Sequence, residues 1–180
     1  MSDAPHPEAP DLETSAERPE DERPEAEREA EAARTIRRFG YAAAGVTLVP
    51  VPFSETVGVV PLHVLMVTRL AELYGVALGR ESALRLVARI GAAAGASYVG
   101  TRLAIGVAKA LVPGLPGLLG APLVFAGTLG LGSAVCAHLR GGQQLSDEEI
   151  RAIYRASYQA ARAEYDPRRA QEEADQARKA

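Results

Sequence analysis

The stretch GLLGAPLVFAGTLGLGSAVCAHL, residues 117–139, decides how this sequence folds. It ends a 30-residue run, Ala110–Leu139, in which no side chain carries a formal charge at pH 7 if His138 is neutral. As an α-helix, residues 117–139 span roughly 35 Å, which is enough to cross a hydrocarbon core of about 30 Å. The stretch contains five glycines, and in water each would cost a helix about 1 kcal/mol relative to alanine. In lipid the backbone must satisfy its own hydrogen bonds, so helix is nearly forced and glycine is tolerated. The stretch therefore predicts a membrane helix.

Charge is distributed unevenly along the 180 residues, although the whole chain carries only −3. Residues 1–33 hold twelve acidic residues and three arginines, whereas residues 34–145 hold three acidic and ten basic residues. An acidic arm joined to a basic, apolar middle is typical of a protein that meets a membrane surface or a charged partner. Nucleic acid is not expected as a partner, because the arginines are scattered and the sequence has three Phe and no Trp to stack on bases.

Composition divides the chain into three segments. Residues 1–24 are acidic and proline-rich with almost no large apolar side chains, so we expect a disordered tail. Residues 25–165 are expected to form a helical membrane-associated domain. Residues 166–180 are expected to form a polar C-terminal tail that is partly helical.

Local signals place the helices of the domain. The first helix is predicted from Pro24 to the V-P-V-P-F turn at 49–53, where two prolines disfavour helix on both sides. The second stops at Gly75, a natural C-terminal cap. A third helix over 80–111 is separated from the long apolar helix by a proline- and glycine-rich turn at 113–117. The predicted fold is therefore all-α, with two helical hairpins of which the second is inserted in the membrane. The arms of the first are short for a full crossing, so it either enters the bilayer part of the way or packs as a core.

A closing amphipathic helix is predicted after the hairpins. Ser146–Glu149 has the spacing of a capping box, and Ile150, Tyr154 and Tyr158 then follow on one face at helical spacing. We expect this helix to pack on the domain from the cytoplasmic side. The polar helix that starts at Pro167 is expected to fray.

Small residues recur at every fourth position of the third predicted helix and more loosely on the fourth. Such faces let two helices approach closely where lipid removes the hydrophobic drive between them. We predict that the two helices pack as an antiparallel hairpin through these faces, while the alternative, in which the stripes only reflect genomic base composition, stays open. The predicted helix-packing residues are Ala92, Ala96, Gly100, Ala104, Ala108, Ala126, Gly130 and Ala134.

Positive charge flanks both hairpins and is missing from both of their turns. The positive-inside rule then places the basic clusters and both termini on the cytoplasmic side of the inner membrane. Arg102 interrupts the third helix, so it either points into the bundle or marks an arm that enters the membrane only partly.

No catalytic, cofactor or metal site is predicted. Cys136 is the only cysteine, which excludes a cysteine-based zinc cluster. Glu55, His63 and Glu72 lack the spacing that brings two ligands onto one helix face. His63 is interpreted either as part of an ion path or, as we favour, as a residue that hydrogen-bonds a backbone carbonyl. Arg69 and Glu72 are three apart and can pair within one helical turn.

The order of the motifs resembles a known family. V-P-V-P-F at 49–53, L-A-E-L-Y-G at 70–75, V-P-G-L-P-G at 112–117 and the closing S-D-E-E helix are similar to the YcjF-type family, domain of unknown function 697. The resemblance covers roughly residues 35–160, and the EcsC-type family is a second candidate. It implies a helical, membrane-associated module attached to, or encoded beside, a translation-factor-class GTPase. The chain has no G-x-x-x-x-G-K-[S/T] motif, so nucleotide chemistry would belong to a separate partner.

The leading functional expectation is a non-enzymatic membrane module that anchors or regulates a separately encoded GTPase or another envelope complex. Two alternatives stay open. One is a small channel or transporter component that forms a homo-oligomer, with Arg102 and His63 lining a path, and the other is a soluble helical scaffold. The candidate interaction residues are Arg69, Glu72, Tyr154 and Tyr158.

Overall fold

The described part of the chain forms six helices and no strand in the computed structural model of the protein. The structure describes residues 24–48, 59–111, 115–141 and 145–177, with the backbone alone for 96–111, 115–119, 141 and 177. The helices are α1 (Glu25–Leu48), α2 (Val60–Leu73), α3 (Arg80–Leu111), α4 (Leu115–Gly141), α5 (Asp147–Glu164) and α6 (Pro167–Ala177). The all-α prediction is confirmed. The predicted disordered tail lies outside the described residues, apart from Pro24.

Helix ends follow the local signals in the sequence. Beyond the end of α2, Gly75 has a φ of 69°, in the left-handed region that glycine adopts without strain. At the start of α5, Ser146 Oγ accepts a hydrogen bond from the Glu149 backbone N–H at 3.3 Å. The Glu149 carboxylate in turn accepts one from the Ser146 backbone N–H at 2.8 Å. Both halves of the predicted capping box are therefore formed.

The start of α4 differs from the prediction. We expect a turn over 113–117, but α4 already begins at Leu115. Pro116 is compatible with this start, because a proline in the first helical turn lacks an N–H that would have no partner there anyway. α3 has the predicted bounds, so the two helices are connected by a short link outside the described residues.

α4 is the central helix of the bundle, and α1 and α5 contact it most extensively. α1 runs antiparallel to α4: Glu29 pairs with Arg140 near one end, and Tyr41 packs on Phe125 further along with ring centroids 4.5 Å apart. α2 and α3 contact other sides of α4. The long apolar helix is therefore the core helix of the bundle.

The length and composition of α4 match a membrane span. Among the described residues, the segment Gly120–Arg140 is the one that is long and apolar enough to cross a bilayer. In the bundle, however, 61% of its most apolar window is buried against other helices. α4 therefore combines the length and composition of a membrane span with the burial of a core helix.

α6 packs on α1, a contact that the prediction of a polar, fraying helix does not include. Ala170 and Ala174 are fully buried, and they lie over Gly45 of α1. A Cβ atom added to Gly45 would lie 3.0 Å from the Ala174 backbone nitrogen, so the two helices approach almost backbone to backbone. Two alanines four residues apart lie on one face of a helix, and their small side chains let a glycine of the facing helix approach closely. The polar composition of α6 does not indicate this contact.

Candidate functional site

A groove of about 610 Å³ runs between α1 and α2. Apolar side chains from both helices line it, namely Phe39 and Ala42 from α1 and Leu65 and Leu73 from α2. Leu65 is the most exposed large apolar side chain described, with 48% of its surface accessible. An apolar groove between two helices with an exposed leucine at its edge has the character of a helix-binding surface.

Charges of both signs line the α1–α2 groove. Arg38 and Arg69 face it from the two helices, as do Glu31 and Glu72, and Glu173 of α6 lies at its edge. No acidic group among the described residues lies within salt-bridge distance of Arg38. The groove therefore suits a partner segment that is amphipathic and carries both charges, more than a purely apolar one.

Arg69 and Glu72 form the local pair that their spacing predicts. The Arg69 guanidinium lies 3.2 Å from the Glu72 carboxylate, and both side chains are more than half exposed. An exposed pair of this kind contributes little stability, typically less than about 1 kcal/mol. The two residues are thus free to exchange partners when another charged surface binds, and their role in an interaction stays a prediction.

His63 makes its hydrogen bond to a side chain rather than to the backbone. Its Nε2 lies 2.9 Å from Thr128 Oγ1, and the Thr128 hydroxyl donates to the carbonyl of Val124, also at 2.9 Å. With the hydroxyl proton on the Val124 carbonyl, His63 Nε2 is the donor to Thr128. Burial lowers the pKa of His63 to about 4, so the ring is neutral near pH 7. The bond links α2 to α4, and it favours the structural interpretation of His63 over an ion path.

Tyr154 and Tyr158 are both half-buried, and their rings stack 6.0 Å apart. Tyr154 lies directly over α4: a Cβ atom added to Gly130 would meet its ring at 3.0 Å, and one added to Gly127 would meet its hydroxyl at 3.2 Å. The Tyr154 side chain of α5 therefore packs directly against these two glycines of α4. Spacing places the two tyrosines on the apolar face, but it does not reveal which glycines they cover.

The predicted small-residue faces are only partly described. Ala126 and Ala134 are fully buried, and Gly130 is covered by Tyr154. Ala92 is exposed, whereas Ala96, Gly100, Ala104 and Ala108 are described by their backbone alone. Whether α3 and α4 pack through these faces stays a prediction; the glycines Gly127, Gly130 and Gly132 of α4 face side chains of α1 and α5.

No cluster of three or more potential metal ligands occurs in the described ranges. The buried Cys136 is a free thiol in the core, next to Val135. The features that distinguish this bundle are a groove, a buried His–Thr link and an apolar central helix.

The chain belongs to a family described as a domain of unknown function, DUF697, which matches residues 15–163. The resemblance seen in the motifs is thereby confirmed. A similar protein is magnetosome membrane protein 22 of Magnetospirillum gryphiswaldense, which is 27% identical over 135 residues. The aligned region covers 71% of this chain and 69% of that protein. No solved structure is significantly similar to the chain.

Proposed function

We propose that this chain is a non-catalytic, membrane-associated helical module that anchors or regulates a separate GTPase or envelope complex. In this proposal the α3–α4 hairpin inserts into the inner membrane, and both termini lie on the cytoplasmic side. The observation that carries the proposal is the coexistence of a membrane-length apolar helix with an open, charged groove on the same bundle.

Two observations support membrane association. The segment Gly120–Arg140 is long enough for a crossing and carries its single charged side chain at its end. The name of the magnetosome relative describes a membrane protein, and the aligned region covers most of both chains. An apolar helix by itself could equally be the core of a soluble bundle, so the relative adds independent support.

The α1–α2 groove supports the binding of a partner. An amphipathic helix could place apolar side chains on Phe39 and Leu65 while its charged residues meet Arg38 and Glu72. This would leave any nucleotide chemistry to the partner. The groove also supports the prediction that Arg69 and Glu72 take part in an interaction, because both residues line it beside apolar side chains.

Membrane association is tested by fractionation of cells that express the full chain. We expect the protein to stay with membranes after washing with alkaline carbonate and to require detergent for extraction. A monodisperse protein that is released by carbonate and stays soluble without detergent would contradict the insertion.

Partner binding is tested by affinity capture from detergent-solubilised membranes with identification by mass spectrometry. We expect a translation-factor-class GTPase to be enriched with the unmodified chain and lost with Leu65→Asp. Leu84→Asp is a matched control, because Leu84 is 46% exposed and lies outside the groove. Equal capture by both variants would exclude the groove as the binding surface, and capture of no GTPase would contradict this choice of partner.

A further inference from the structure

α5 covers one side of α4, and α6 continues this cover over the adjoining part of α1. Ile150 and Tyr154 of α5 pack with Leu131 and Val135 in one cluster of the core. In the other cluster, Ala161 of α5 and Ala170 of α6 join residues of α1 and α4, namely Tyr41, Ala44, Ala121, Phe125 and Ala126. The cover therefore extends over α4 from about Ala121 to Val135.

The outer faces of this cover are charged. Arg155 and Arg162 of α5 are exposed, as are Arg168 and Glu172 of α6. If a bilayer surrounded α4 while α5 and α6 stayed in place, these groups would lie at the depth of the acyl chains, where charged side chains are strongly disfavoured. Full insertion of α4 and the packing of α5 and α6 on the bundle are thus mutually exclusive.

We propose that the surface of α4 and α1 beneath α5 and α6 is a membrane-binding surface, to which lipid acyl chains bind when the α5–α6 cover is released. This inference rests on the proposed insertion of the α3–α4 hairpin. It adds that the bundle with α5 and α6 in place is the uninserted form, and that both helices must be released before lipid can reach the side of α4 and α1 that they cover.

Several of the contacts that attach the cover are individually weak. α5 and α6 bury few side chains fully, namely Ile150, Ala161, Ala170 and Ala174, and three of these are alanines with little apolar area. The ion pair between Arg37 and Glu164, at 2.9 Å, is about half exposed on both sides and adds little. Tyr41 Oη accepts from the Asp166 backbone N–H at 3.3 Å, which is a long hydrogen bond.

The surface that release would expose suits acyl chains. On α4 it is formed by uncharged residues over a length that matches the hydrocarbon core of a bilayer. On α1 the adjoining segment, residues 39–48, is also uncharged. After release, acyl chains would take the place of the side chains of α5 and α6 on this surface. Acyl chains need no hydrogen-bonding partner.

A disulfide between α1 and α6 tests the release directly. A Cβ atom at Gly45 would lie 2.9 Å from the Cβ of Glu173, and a disulfide needs about 3.8 Å, so the surface helix α6 must shift by about 1 Å. Gly45→Cys and Glu173→Cys are combined in the full chain with Cys136→Ser, and crosslinking is checked by thiol counting. The protein is added to vesicles of phosphatidylethanolamine and phosphatidylglycerol, and the carbonate-resistant fraction is measured after flotation.

We expect the reduced protein to insert and the oxidised protein to lose its carbonate-resistant fraction, with recovery on adding a reductant. Equal insertion of both forms would overturn the inference and leave the proposed membrane insertion intact. If neither form inserts while the unmodified chain does, the substitutions themselves block insertion, and the second set of variants decides. If the unmodified chain does not insert either, the proposed function fails and the inference with it.

The second set weakens the cover instead of locking it. Ala170→Asp with Ala174→Asp places charges at two fully buried positions and should raise the inserted fraction at a given lipid concentration. Gln171→Asp is the matched control, since Gln171 is an exposed position on the same helix. An inserted fraction that stays equal to the control would contradict a cover that limits insertion.

Discussion

A close approach of α1 to α4 makes Gly132 a sharp test of the bundle. A Cβ atom at this position would lie between 2.6 and 2.9 Å from three side-chain carbons of Ile36, including both carbons attached to its Cβ. Those two atoms cannot swing away as the end of a long side chain can, because a β-branched side chain in a helix has one strongly preferred rotamer. Gly132→Ala must therefore push α1 away from α4.

The expected magnitude combines two opposing terms. Replacing a helical glycine by alanine gains about 1 kcal/mol of helix propensity. Overpacking a tight core contact costs about 1–3 kcal/mol. Gly120→Ala isolates the gain in helix propensity, because a Cβ atom at Gly120 meets nothing within 4 Å. We expect Gly120→Ala to raise the free energy of unfolding, and Gly132→Ala to lie below it by about 1–3 kcal/mol.

The assay is thermal or urea unfolding of the full chain in a mild detergent, followed by far-ultraviolet circular dichroism. Ile36→Ala provides a second check, because it removes all three clashing atoms. By itself it should cost about 2–5 kcal/mol as a large-to-small core substitution. In its background Gly132→Ala should become stabilising, which reverses the sign of its effect. If Gly132→Ala and Gly120→Ala are equally stable in the unmodified background, the packing of α1 on α4 described above is wrong.

Three further predictions concern single residues. Burial lowers the pKa of His63 from 6.5 to about 4 in the folded protein. As the pH falls, the unfolded chain therefore binds a proton at His63 before the folded protein does, and the free energy of unfolding should fall by about 3 kcal/mol between these two pH values. His63→Leu should remove this part of the pH dependence, read from urea midpoints at about pH 7.5 and about pH 4.5; an unchanged difference between the two pH values would contradict a buried neutral ring. Ser146→Ala should cost about 1 kcal/mol, because the backbone N–H of Glu149 loses its acceptor, whereas an unchanged unfolding temperature would mean that the cap is not formed in solution. Gly75→Ala should cost about 1 kcal/mol through its positive φ, and hydrogen exchange at the end of α2 should increase with it if the cap is lost.

Local chemistry in the sequence determined where the helices lie. The bounds of α3, the glycine after α2, the capping box at Ser146 and the proline that opens α6 all depend on residues within one or two turns of each other. Such signals act through the backbone dihedral angles and the unpaired N–H and C=O groups at helix ends, so a short window of sequence contains the information. The apolar character of α4 can likewise be read from a single continuous stretch, residues 117–139.

Only the tertiary structure decided which helices meet. The sequence pairs α4 with α3, whereas its most extensive neighbours are α1 and α5, through contacts such as Gly132 with Ile36 and Gly130 with Tyr154. The packing of α6 on Gly45 and the groove between α1 and α2 also depend on residues that are distant in the chain. Small residues indicate that a helix can approach another closely, but many partners satisfy that condition equally well. The choice among them is made by the shapes of all the facing side chains together, and the spacing within one helix carries no record of it.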